Sequence, residues 1–165
     1  LNWLNAEHLR KKSSQELLSL LKLEIQKSKF KNQNYTDDFL TLVIEAMKER
    51  VSFIKDFIDT CIYFYEAPIE YEHKSVEKNW KPETPQHLNK LKDEFATLIN
   101  PTKEDFEHSL SKVSEEINVS KGILIHPLRL AVSGQSTGPG MFDLLFILGK
   151  EEVIKRIEKA IERIK

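Results

Sequence analysis

Residues Ile123 to Lys150 read Ile-Leu-Ile-His-Pro-Leu-Arg-Leu-Ala-Val-Ser-Gly-Gln-Ser-Thr-Gly-Pro-Gly-Met-Phe-Asp-Leu-Leu-Phe-Ile-Leu-Gly-Lys. Leu124, Leu128 and Ala131 fall on one helical face, so the first part is an amphipathic helix. Pro127 cannot donate a backbone hydrogen bond, and an interruption is expected there. Arg129 emerges beside the apolar face. It either pairs with a buried carboxylate or stands at the rim of a site, where its planar fork suits bases and phosphates. Ser133 to Gly140 is a loop. Met141 to Leu148 is a second helix, stopped by Gly149.

The same loop could be a turn between helices or a ligand loop. Its glycine spacing does not fit the nucleotide-binding P-loop, in which a lysine and a hydroxyl residue directly follow the last glycine. Pro139 also removes an amide that a phosphate cradle needs. The loop does lead into a helix N-terminus, which can hold an anion or a polar base edge.

Working outward, the remaining sequence also reads as helices. Glu151 to Lys165 places Val153, Ile154, Ile157, Ile161 and Ile164 inward, with Glu151/Lys155 and Glu152/Arg156 pairing on the exposed face. Thr84-Pro85 opens a helix to Leu98, and Pro101-Thr102 with Asp105 opens another to about Asn118. Asn2 to Arg10 forms a short helix with Trp3, Leu4 and Leu9 inward. Ser13 and Glu16 make a capping box for a helix to Ser28 whose apolar side is Leu17, Leu20, Leu21 and Leu23. Thr36 caps a helix with Phe39, Leu42, Val43, Ala46 and Met47 inward. Apolar spacing resumes from Val51 to Ile62. Glu66 to Pro85 holds Pro68, Pro82 and Pro85 among polar residues and reads as a connector.

The expectation is an all-α fold of about nine helices. They form two packed subdomains, 1–68 and 84–165, joined by a connector at 69–83. Only five glycines and six prolines occur, which disfavours a turn-rich β fold. Ile62–Phe64 and Ile69–Tyr71 are the only candidate extended pieces.

Net charge is −1, which argues against a generic nucleic-acid binder. The charge is unevenly spread. Residues 1–34 carry seven basic and three acidic groups, residues 119–165 carry eight and five, and residues 35–118 carry ten and eighteen. Basic ends with an acidic middle can hold phosphates on one side only, although solvated helix faces produce the same pattern.

Catalytic readings are poor. His8, His73, His87, His108 and His126 show no metal-ligand spacing with one another or with Cys61. No carboxylate pair stands out as acid and base, and no nucleophile has its base. The single cysteine lies in an apolar run and reads as core. No run can span a bilayer and no signal segment opens the chain, so a cytoplasmic setting is expected. The first residue is not methionine and a helix is already under way, which suggests a fragment of a longer protein.

Two further features have open readings. Arg50 lies eleven residues after Phe39, about three helical turns, so it extends the same stripe onto the core face. It is then either ion-paired internally or held stiffly toward a ligand. Tyr63, Phe64 and Tyr65 could stack on unpaired bases, but three consecutive aromatics cannot all point one way.

Several of these motifs together resemble the anticodon-binding region of bacterial-type glutamyl-tRNA synthetases, and the likeness covers essentially the whole chain. Leu1-Asn-Trp-Leu-Asn5 resembles the segment following that family's catalytic and stem-contact regions. Ala46-Met-Lys-Glu-Arg50 resembles its proximal helical anticodon subdomain. His126-Pro-Leu-Arg-Leu-Ala-Val-Ser-Gly134, Gly138-Pro-Gly-Met-Phe142 and Leu148-Gly-Lys-Glu151 resemble the distal one, and these are the more specific motifs.

The resemblance implies a tRNA partner, with Arg50 at the position that reads the third anticodon base and Arg129 near the first. Gly138, Pro139 and Met141, with Gly140 between them, match the loop packed against the first and second bases. Where family members carry threonine this chain has Gly138, so only backbone is offered there; where they carry leucine it has Met141.

The family's ATP-binding signatures are absent. No catalysis and no cofactor are expected of these residues, while ATP and magnesium are implied for the parent enzyme's catalytic domain. A monomer without membrane contact is expected. The competing reading is a helical protein-interaction domain whose arginines pair internally.

Overall fold

The computed structural model describes residues 2–165, with residues 2–4 described in their backbone alone, so the inward placement expected for Trp3 and Leu4 lies outside the described residues. Ten α-helices and one 3-10 turn occur among the described residues, with no strand, as an all-α fold requires. The chain divides into two compact units, residues 1–66 and 67–165.

In the first unit, α1 spans Asn2–Arg10, α2 Ser14–Gln26, α3 Asp37–Met47 and α4 Asp56–Asp59. The capping box at α2 forms as expected: Glu16 N–H donates to Ser13 Oγ at 3.1 Å, and Ser13 N–H donates to Glu16 Oε2 at 3.3 Å. Thr36 caps α3 by accepting from Phe39 N–H. The buried faces are rotated from the expected ones. Helix α2 buries Leu17, Leu18, Leu21 and Ile25, leaving Leu23 60% exposed. Helix α3 buries Leu40, Val43, Ile44 and Met47. Where several apolar residues crowd one helix, periodicity permits neighbouring faces, and packing of α2 on α3 selects between them.

The helix expected from Val51 to Ile62 shrinks to α4 and a 3-10 turn at Ile62–Phe64. Asp56 accounts for this. Its Oδ2 accepts Ser52 and Phe53 N–H at 3.1 and 2.9 Å, holding those residues in a turn. Tyr63 and Phe64 are core residues, and Tyr65 stacks on Phe30 with centroids 5.3 Å apart. Tyr65 also donates to Phe57 O at 2.7 Å, so these aromatics build the unit rather than a stacking platform. Cys61 is fully buried, and burial pushes its thiol from 9.0 up to about 11.

In the second unit, α5 spans His73–Asn79, α6 Thr84–Ala96, α7 Lys103–Glu116, α8 Lys121–Ser133, α9 Met141–Leu148 and α10 Lys150–Arg163. Helix α10 packs on α6, α8 and α9; α7 packs on α6, α8 and α9; α5 packs on α8. The segment read as connector thus carries a helix. Its turn after Asn79 is tied to α6 by Thr84, whose buried Oγ1 accepts from Lys81 N–H at 2.8 Å. Thr84 is therefore inside α6, not its cap. Thr102 and Asp105 form a capping box for α7.

Pro127 does not interrupt α8. One backbone bond is lost, but Leu124, Leu128, Leu130 and Ala131 are fully buried, and that packing carries the helix through. In α10, Glu152 pairs with Arg156 as expected, Nε to Oε2 at 2.8 Å, but on the wrong face: Arg156 is 3% exposed. Its Nη1 donates to Val132 O, the last turn of α8. Burial pulls its guanidinium below the ordinary value, against the pull of Glu152. Glu151 lies 4.0 Å from Lys150 rather than on Lys155.

Candidate nucleic-acid interface

Helix α3 ends at Met47, three residues before Arg50. Arg50 therefore does not extend the core stripe; it sits in the following turn with its side chain exposed. Its N–H donates to Met47 O at 2.8 Å, and buried Met47 and Val51 fix the backbone on either side. Neighbouring charges are occupied: Glu49 lies 3.6 Å from Arg10, and Lys48 Nζ donates to Lys12 O at 2.9 Å. No acceptor among the described residues engages the Arg50 guanidinium. The internal ion pair is thereby replaced by an exposed cation on a stiff base.

In the second unit, α8 terminates at Gly134, whose left-handed backbone (φ +76°) turns the chain into the loop. Its N–H donates to Leu130 O at 2.8 Å. Arg129, half-buried, reaches across the loop and donates through Nη1 to Pro139 O at 2.7 Å. At this contact the guanidinium holds a backbone carbonyl of the loop. Ser133 Oγ donates to Arg129 O at 2.8 Å and accepts from Gln135 N–H at 3.2 Å.

Pro139 and Met141 are buried, whereas Ser136, Thr137 and Gly140 are exposed and Gly138 is half-buried. Met141 enters the apolar core as the first residue of α9, so what the loop offers outward is mainly backbone and the hydroxyls of Ser136 and Thr137. Beneath it, Asp143 in the first turn of α9 receives Lys103 at 3.1 Å, and this hydrogen bond raises the ammonium's affinity for its proton.

The contact that sequence reasoning missed is Glu72. Its N–H donates to Gly134 O at 2.8 Å, and its carboxylate accepts from both Ser136 N–H and Ser136 Oγ at 3.0 Å. The partners are 64 positions apart, and no local pattern marks Glu72 among the 26 acidic residues. No group of three or more His, Cys, Asp or Glu able to hold a metal occurs among the described residues, and no helix among them is long and apolar enough to cross a membrane.

The family model for the anticodon binding domain matches residues 6–161. The chain belongs to that family. It is 36% identical over 171 residues to the glutamate–tRNA ligase of Chloroherpeton thalassium, covering 99% of this chain and 34% of that protein. A similar relative is the glutamate–tRNA ligase of Chlorobium chlorochromatii, 36% identical, with 98% and 34% covered. Among solved structures, a glutamate–tRNA ligase from Elizabethkingia meningosepticum in complex with its amino acid superposes with a TM-score of 0.92 at 32% identity, covering 99% of this chain and 32% of that one. The chain thus spans about a third of the length of these relatives.

Proposed function

We propose that this chain reads the anticodon of a glutamate-accepting tRNA within a glutamate–tRNA ligase, the enzyme that joins glutamate to its tRNA using ATP. Arg50 reads the third anticodon base, and Arg129 with Gly138, Pro139, Gly140 and Met141 forms the surface for the first and second. ATP, magnesium and the transfer chemistry belong to a part of such a ligase outside these residues, and the chain acts as a monomer in the cytoplasm. The observation that carries the reading is the anticodon-binding family match across residues 6–161.

Recognition is of single-stranded RNA. The bases leave their stack, and arginine forks and loop amides meet their edges. Arg50 is exposed on a backbone held to Met47, so its fork is accessible to a base edge, and ordering the side chain there costs about 0.5–1.5 kcal/mol. Pinning of Pro139 by Arg129 reduces what is lost in ordering the loop, and Met141, packed in the core, is the support on which that surface rests.

The test is a fluorescence titration of the chain with a glutamate-anticodon hairpin and with anticodon-swapped hairpins. Preference for the matched hairpin is expected. Equal binding, or none, overturns the reading; no binding at all is what a helical protein-interaction domain predicts.

A further inference from the structure

We infer that Glu72 is a positioning residue for anticodon discrimination, holding the 134–140 loop in the shape that meets the bases. The inference rests on the anticodon reading above and deepens it.

Three contacts bring the segment 68–72 against the start of the loop. Glu72 N–H donates to Gly134 O at 2.8 Å. The Glu72 carboxylate takes the amide and the hydroxyl of Ser136, each at 3.0 Å. At Gly134 itself, a Cβ would stand 2.7 Å from Glu70 O and 2.9 Å from Pro68 Cβ, so the segment lies directly on the glycine backbone. At the far end of the loop Arg129 holds Pro139 O at 2.7 Å. The loop is therefore fastened at both ends by charged side chains bonded to its backbone, a carboxylate on an amide and a guanidinium on a carbonyl. Between them lie Thr137 and Gly138.

A carboxylate at this place is costly for an RNA-binding surface, because it repels phosphate. Its charge is offset where it accepts two hydrogen bonds from Ser136, and charge-assisted bonds of that kind fix geometry better than neutral ones. Coulomb's law and the positioning role therefore predict opposite effects for its removal. If Glu72 merely sits near the RNA, neutralising it tightens binding to every hairpin alike. If it positions the loop, neutralising it lowers the preference for the matched anticodon.

The chain carrying Glu72→Ala, Glu72→Gln or Ser136→Ala is titrated with matched and anticodon-swapped hairpins, and thermal unfolding is recorded for each variant. Glu72→Ala is expected to reduce the matched-over-swapped ratio roughly fivefold, with an unfolding midpoint close to that of the unsubstituted chain. Glu72→Gln is expected to restore part of the ratio, since its amide oxygen still accepts from Ser136. An unchanged ratio, or uniformly tighter binding, overturns the inference. Should Glu72→Ala fail to fold, Ser136→Ala decides by the same ratio, because it removes the hydroxyl bond and keeps the amide bond. Loss of preference in the unsubstituted chain would instead remove the anticodon reading itself.

Discussion

Arg50 and Arg129 are the same residue type under different constraints, and their substitutions should separate. Arg50 has no acceptor among the described residues. Its truncation to alanine should leave stability within about 0.5 kcal/mol, as for an ordinary surface change. The same variant should lose about 1–3 kcal/mol of discrimination at the third base. Parallel thermal unfolding and hairpin titration check both halves. Arg129 donates to Pro139 O, so its loss disturbs the loop as well as any base contact. Arg129→Lys should not rescue, because a single ammonium cannot hold the carbonyl and present a planar fork together; titration of Arg129→Lys beside Arg129→Ala decides, and recovery of matched binding by lysine would refute this.

Cys61 gives a pH prediction. Its thiol is raised from 9.0 to about 11 by burial, so the folded state holds the proton that the unfolded chain releases. Its contribution is fully present below pH 9 and is lost as pH rises toward 11. Urea midpoints measured across that window should fall, and Cys61→Ser should flatten the part due to this group.

At the level of elements, the joint between α8 and the loop has the least tolerance. Gly134 combines φ +76° with backbone 2.7 Å from where a Cβ would stand. Gly134→Ala should cost about 1–3 kcal/mol, from the left-handed strain and the displaced 68–72 segment together; chemical denaturation measures it. By comparison Thr102→Ala, which removes half of the α7 capping box, should cost about 1 kcal/mol. The caps were legible in sequence because each joins residues three apart. The continuation of α8 through Pro127 was not, since it depends on side chains from other helices covering Leu124 and Leu128. Nor was the buried face of Arg156, where a surface i to i+4 pair and an interior one look identical in sequence.

On the scale of the whole molecule, 25 basic against 26 acidic residues leave little general attraction for RNA. Hairpin affinity should fall with salt through the few phosphates neutralised, at about 0.7 logarithmic units per phosphate per logarithmic unit of salt for single strands. The matched-over-swapped ratio should stay nearly constant, since base edges are read by hydrogen bonds rather than by charge. A ratio that collapses with salt would place the selectivity in phosphate contacts instead.

Sequence alone determined the all-helical class, the start of α2, α3 and α7 through their caps, and the loop between α8 and α9. Each of these depends on bonds spanning a few residues or on apolar periodicity within one helix. It also carried the family likeness, because the Pro-Leu-Arg and Gly-Pro-Gly motifs are contiguous. Tertiary structure decided which face of each helix is buried, that Arg50 stands outside the core, that Arg129 holds Pro139, and that Glu72 meets Ser136. Those outcomes rest on packing between distant segments, and a hydrogen bond across 64 residues leaves no mark in the order of residues around either partner.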